Sequence, residues 1–159
     1  MTAQIKPEIH NVTAFADIAP VLYGCGLFDN LIHDECSEDD FMIHLGEHPG
    51  LFMVSMKGEF GGVFTIDDLG EICGFNTCEV HAYILPCMRR YSIAFMKEFA
   101  KFIFDVSAFD TIITTVPDHS KRVVKVLEKM VGFKKIKWEE TKYKKNGNEL
   151  GQTYLILKK

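Results

Sequence analysis

No run of about 18 apolar residues occurs in the 159-residue chain, so the sequence offers no candidate for a membrane-spanning helix. The opening MTAQIKPEIHNVTAF lacks both a basic leader and an apolar stretch, so no secretory signal is expected. Cysteine is scarce and unpaired in pattern. Cys25, Cys36, Cys73, Cys78 and Cys87 are odd in number and unevenly spaced. That spacing argues against a disulfide framework and for reduced thiols in the cytoplasm. Cys73, Cys78, His81 and Cys87 miss the paired spacing of structural zinc sites, so free cysteines rather than a metal centre are expected. Basic residues are almost missing from the first half. Residues 1–78 hold 2 basic and 13 acidic side chains, net −11, whereas residues 79–159 hold 16 and 9, net +7, and the two sum to −4. Two surfaces of opposite charge follow from that split.

What is present is a globular composition: 47% hydrophobic, 25% charged, with 13 Phe against 5 Pro. The length suits one domain over 1–159 with a sizeable core. Glu8–Thr13 reads as a strand. Ala14–Tyr23 reads as a helix with Thr13 as its N-cap and Pro20 as an irregularity. Leu27–Cys36 fits loop or helix equally. Ser37 opens a second helix that runs to about His48, with Glu38, Asp39 and Asp40 in its first turn. Leu51–Met56 and Phe60–Ile66 form a hairpin across Lys57-Gly58-Glu59. Asp67–Asn76 reads as a loop and Thr77–Leu85 as the next strand. Arg90–Val106 is a helix with apolar residues on most faces, and Phe109–Val116 a β-rich strand. Pro117–Ser120 leads into a helix through Val131, which Gly132 ends. Lys134–Tyr143 and Gly151–Leu157 are strands around the Asn146-Gly147 turn. The order is β-α-α-β-β-β-α-β-α-β-β, with no repeat and no linker.

Thr77–Phe104 organises the rest. It carries a strand, a short turn at Pro86 and a helix start with Arg89 and Arg90. Backbone N–H groups at a helix start, the positive end of its dipole and two guanidinium groups make an anion site. Ile84-Leu85-Pro86-Cys87-Met88-Arg89-Arg90-Tyr91-Ser92-Ile93-Ala94 resembles the V-x-P-x-x-[RQ]-G-x-G-x-[GA] element of the GNAT superfamily of acetyltransferases. Ile84 takes the Val place, Pro86 the Pro, Arg89 the Arg/Gln and Ala94 the last small residue. Arg90 and Ser92 stand where the family prefers Gly. The order of elements and the helix–Gly132-Phe133–strand junction are similar to that family too, over nearly the whole chain. The similarity extends to small, divergent GNAT-like proteins of bacteriophages.

The resemblance implies an α/β (α+β) fold, with a mixed central sheet of six to seven strands flanked by four helices. It implies acetyl-CoA as co-substrate, in a wedge between Thr77–Leu85 and Phe109–Val116. The cofactor-binding residues would be Ile84, Arg89, Arg90, Tyr91, Ser92, Ile93 and Ala94, with main-chain groups near Ala82–Leu85 on the pantetheine arm. At a helix start φ is negative, so Ser92 and Ala94 fit the backbone that the family's glycines adopt. The implied reaction is direct transfer of acetyl to an amine, of a small molecule or a protein, in a ternary complex. That needs a base for the ammonium proton. Glu79 and His81, two apart on one strand, share a face and are the candidates, directly or through water. An ungapped count sets the family's commonest base position nearer Cys78.

Two departures argue for the alternative, a GNAT-fold protein that binds without catalysing. The family's proton-donating Tyr, four residues before the junction glycine, is Glu128 here, and the Asn near that helix start is replaced by His119-Ser120. Tyr83 and Tyr143 are the substitutes available as acid. Asp29, Asp34, Glu35, Glu38, Asp39 and Asp40 would give the acceptor groove an acidic rim suited to a cation, or a solvated helix start. Lys134, Lys135, Lys137, Lys142, Lys144 and Lys145 read as an edge strand guarded by lysines. With only Trp138 and Tyr143 interleaved, nucleic acid is the disfavoured partner. A homodimer would show itself in exposed Phe.

Overall fold

The structure, a computed structural model, describes residues 5–28, 36–137 and 142–159. Asp29, Asp34, Glu35 and Trp138, and most of the ambiguous Leu27–Cys36 segment, lie outside them. The chain begins with β1 (Glu8–Asn11), α1 (Phe15–Leu22) and α2 (Glu38–Glu47). Three strands follow: β2 (Leu51–Met56), β3 (Glu59–Ile72) and β4 (Phe75–Ile84). A 3-10 turn over Pro86–Tyr91 then leads into α3 (Ser92–Val106) and β5 (Thr111–Pro117). After α4 (Lys121–Val126) the helix widens into a π-turn, Leu127–Val131, which Gly132 closes at φ 100°. The last strands are β6 (Lys134–Ile136), β7 (Tyr143–Lys145), β8 (Asn148–Leu150) and β9 (Gln152–Lys158).

Among the described residues these elements make one seven-stranded mixed sheet, ordered β1-β2-β3-β4-β5-β9-β6, with four α-helices and a separate β7-β8 ribbon. Every neighbouring pair in the large sheet is antiparallel except β4 and β5. The two faces of β4 tell the layers apart. Phe64, opposite Ala82, stacks on Phe99 of α3 at 4.2 Å between ring centroids. Tyr83, on the other face, meets Phe41 of α2 edge-on at 5.2 Å. Helices α1 and α2 therefore cover one face and α3 the other, with the π-turn after α4 packed beside α3.

The core between sheet and α3 is aromatic. Phe52 lies edge-on to Phe99 and Phe102, and Phe64, Phe95, Phe99 and Ile103 are buried. Each such side chain contributes roughly 1.5–3 kcal/mol by leaving water. Small residues set the close approaches. A Cβ on Gly46 would fall 2.8 Å from the Phe15 ring, where α1 packs on α2.

Several boundaries differ from the sequence reading. Asp67–Asn76 is not a loop: β3 and β4 run on to a tight turn at Cys73-Gly74, both at positive φ. A register shift between Asp68 and Gly70 breaks the alternation that would have revealed the strand. The Arg90 helix start is replaced by the 3-10 turn, and α3 begins at Ser92. The N-cap of α1 is Ala14, with no side-chain bond, so Thr13 does not cap it. Lys134–Tyr143 is not one strand, and Asn146-Gly147 joins β7 to β8 rather than β6 to β9. Ser37 does cap α2, in a reciprocal box with Asp40.

Candidate active site

The site starts where the sheet comes apart. β4 and β5 pair only over Thr77–Glu79 and Thr111–Ile113, although both continue several residues further. At the point of divergence the Thr114 hydroxyl donates to Val80 O at 2.8 Å, in place of a strand partner. Val80 O therefore faces β5, while the Leu85 N–H, donating to Gly61 O at 2.9 Å, faces β3. Backbone groups alternate along a strand. Ala82 and Ile84 thus turn their N–H and C=O toward the gap, as an extended ligand lying along β4 would need.

The far end of the gap is the strand-to-helix junction. Met88 N–H donates to Leu85 O at 2.9 Å, and both the amide and the hydroxyl of Ser92 donate to Arg89 O, the hydroxyl at 2.7 Å. The 3-10 turn takes up the amides of Arg89, Arg90 and Tyr91 internally. Ile93 and Ala94 are left as first-turn donors of α3, which has no side-chain cap and no acidic residue there. Ser92 adopts φ −52° and ψ −41°, a helical conformation that needs no glycine. Arg90 lies over the Tyr91 ring at 4.8 Å. Arg89 is exposed, and no ion pair among the described residues involves either arginine.

The α2-facing side of β4 brings titratable groups together. His81 Nε2 lies 3.6 Å from Glu79 Oε1, both half-buried. Asp67 is the cross-strand partner of Glu79, and Thr65 of His81. Asp67 in turn accepts from His48, whose Nε2 is 3.0 Å away. Gly50 N–H donates to His48 Nδ1 at 3.1 Å, so the Nε2 of this buried imidazole carries the hydrogen. Burial, with Asp67 and Glu79 adding to it, pushes the Tyr83 phenol up to about 12. Sequence reading missed Asp67 and His48. A hairpin counted outward from the turn would set Asp67 opposite Val80, and only the register shift brings it to Glu79.

Other candidates fall elsewhere. Cys78 is buried on the opposite face from His81, and desolvation with Asp68 pushes its thiol up to about 12, which makes it no base. Glu128 is engaged by Lys135 at 3.7 Å. Tyr143 pairs with His119 Nδ1 at 2.8 Å, beyond the C-terminal end of β5. Glu38 accepts from Gly24 N–H, Asp39 from Tyr23 and Asp40 caps α2, so each has a structural partner. Lys134 and Lys135 lie exposed on β6, at the sheet edge. A shallow hollow of about 230 Å³ between β1 and α3, by Ile9 and Phe102, is remote from the split strands.

A seven-stranded sheet split between its central parallel strands, with helices on both faces, is the GNAT fold. Residues 36–159 match the model of the family described as "Protein of unknown function (DUF2824)", and the chain belongs to that family. No curated protein matches it in sequence. Among solved structures it is similar to spermidine N-acetyltransferase from Vibrio cholerae in complex with CoA and spermine. That pair has a TM-score of 0.72 at 11% identity, over 98% of this chain and 95% of the other. Mycobacterium smegmatis RimJ in complex with CoA-disulfide aligns with a TM-score of 0.75 at 13% identity, over 96% and 81%. An acetyltransferase (GNAT family) from Bacillus anthracis aligns at 0.71 and 16%, over 99% and 98%.

Proposed function

We propose that the protein is an acetyl-CoA-dependent N-acetyltransferase that passes the acetyl group directly to an amine, within one domain. The observation that carries this is the split between β4 and β5, which turns Ala82 and Ile84 toward the gap and ends at an uncapped helix start beside Arg89. The residues present fit the co-substrate. The β4 edge would take the amide-rich arm, and Ile93 and Ala94 N–H, with Arg89 and Arg90, the diphosphate. When bound, acetyl-CoA supplies an acyl group on a good leaving thiolate.

This chain's part in the chemistry is to remove a proton and hold the amine. The Glu79–His81 pair is the candidate base, because an imidazole beside a carboxylate is held ready to accept from a neighbouring ammonium. Asp67 and His48 extend that pair across the sheet and keep the face polar and ordered. The solvation of the cationic acceptor is replaced in part by the carboxylates of Asp67 and Glu79.

A second reading, a GNAT-fold binding protein without turnover, is supported by one observation. The 3-10 turn uses amides that a diphosphate would otherwise take, and Glu128 stands in place of a phenol.

Thermal unfolding with and without acetyl-CoA separates the readings at the first step. At about 100 times Kd, ligand linkage is worth roughly 2.7 kcal/mol, which raises Tm by roughly 5–10 °C for a chain of this size. Absence of any rise at millimolar acetyl-CoA overturns both cofactor binding and catalysis. With a rise in hand, CoA release is followed across small amines and peptide amines. Glu79→Gln and His81→Ala should then cut turnover by roughly 10²–10⁴-fold while leaving the Tm rise intact. Full turnover in both variants removes the pair as base.

A further inference from the structure

Two exposed apolar patches lie on opposite sides of the sheet, each set in charge of one sign. On the α4 side Val123, Val126 and Met130 are 46%, 37% and 49% exposed, whereas Val124 and Leu127 between them are buried. Around them Lys121, Arg122, Lys125 and Lys129 are exposed, and no ion pair among the described residues involves any of the four. On the α1–α2 side Val21, Tyr23 and Ile43 are 48%, 42% and 57% exposed. The Tyr23 hydroxyl, donating to Asp39 at 3.0 Å, joins the two helices there, and Asp17, Asp40 and Glu47 are exposed around them. Not one Lys or Arg occurs between Lys6 and Lys57.

A helix face kept only for solubility has no need of valine and methionine among its lysines. Nucleic acid would meet the lysines but not the apolar side chains. An anionic lipid surface would meet the α4 side and leave the acidic, apolar α1–α2 side without a role. A second copy of this chain complements both patches at once, in charge and in apolar character. We propose that the protein associates with itself head to tail, the basic α4 face of one copy seated on the acidic α1–α2 face of the next. The two faces lie on opposite sides of the sheet, so the contact is heterologous and repeats along a row instead of closing on a two-fold axis. This holds whether or not the protein transfers acetyl groups.

The test is the mass in solution, by sedimentation or light scattering, in about 10 mM and about 1 M salt, where screening lengths are about 30 Å and 3 Å. The expected mass in low salt is a multiple of 18.1 kDa that grows with protein concentration and falls to one chain in high salt. Two surface variants then separate the faces: Lys125→Glu with Lys129→Glu, and Asp17→Lys with Glu47→Lys. Each alone should stay a single chain, and an equal mixture should form pairs that stop at two, because one intact face of each kind remains. Val126→Ser and Ile43→Ser, which leave charge unchanged, should each weaken association at least several-fold, with melting temperatures near wild type. A single-chain mass at every concentration in low salt overturns the proposal. So does association that both charge variants retain, and so does binding to phosphatidylserine vesicles by a protein that stays a single chain.

Discussion

Gly50 marks how tightly single residues hold the base-bearing face. A Cβ there would fall 2.3 Å from Ile66 O, and the same residue's N–H fixes the His48 ring that donates to Asp67. Nearby, Tyr83 and Cys78 sit on opposite faces of β4 and share one consequence of burial. The phenol is raised from 10.0, and the thiol from 9.0, each to about 12. Both are neutral in the folded protein, and the unfolded chain ionises them first. Their stabilisation is thus complete below about pH 9 and drains away as pH rises toward 12. We expect the urea midpoint to fall steeply between pH 9 and 11, with each group accounting for roughly 1–3 kcal/mol. Tyr83→Phe and Cys78→Ala should each flatten the slope of that fall, whatever they do to the midpoint at neutral pH. Equal slopes in wild type and both variants would mean the two groups ionise as freely folded as unfolded.

At the scale of elements, what was legible depended on whether the local signal and the tertiary contact agreed. Helix α2 was legible from Ser37 and the acids after it, because its capping box is built from those side chains alone. Helix α3 was legible in its body, where Phe95, Phe99 and Ile103 repeat at helical spacing. Its start was not, because Pro86 begins a 3-10 turn whose bonds depend on Leu85 O and Arg89 O. The β3–β4 hairpin was hidden by Asp67, Asp68, Gly70 and Glu71, which read as loop composition, and by a turn residue that sequence rules do not favour. Cys73 occupies φ 52° and Gly74 φ 81°. That two-residue geometry is the one Asn-Gly fills best. Cys73→Asn should therefore stabilise the protein by roughly 0.5–1 kcal/mol, since Asn tolerates the left-handed region. A rise in Tm of a few degrees, with a native-like spectrum, is the expected reading. A fall would show that the exposed thiol has a contact worth more than the turn's backbone preference.

For the whole molecule, the sheet is two blocks that meet along a short seam. β1 to β4 form one block, β5, β9 and β6 the other, and Thr77–Glu79 with Thr111–Ile113 join them. The order of elements made this arrangement legible as a GNAT-like sheet. The point at which pairing stops was not legible, because it rests on Thr114 reaching Val80 O, and no motif announces that contact. The seam makes a residue-by-residue prediction for hydrogen exchange. His81, Tyr83 and Leu85 turn their N–H groups to β3, so they should exchange slowly, near the rate set by unfolding of the β1–β4 block. Ala82 and Ile84 turn theirs to the gap and should exchange at least tenfold faster in the protein alone. On addition of acetyl-CoA the fast pair should slow by a similar factor while the slow three stay unchanged. Uniform protection along β4 without ligand would mean the strands remain closed together in solution. Fast exchange at Ala82 and Ile84 that acetyl-CoA leaves untouched would mean the split is a feature of the sheet with another use, and the acyl-transfer reading would fall with it.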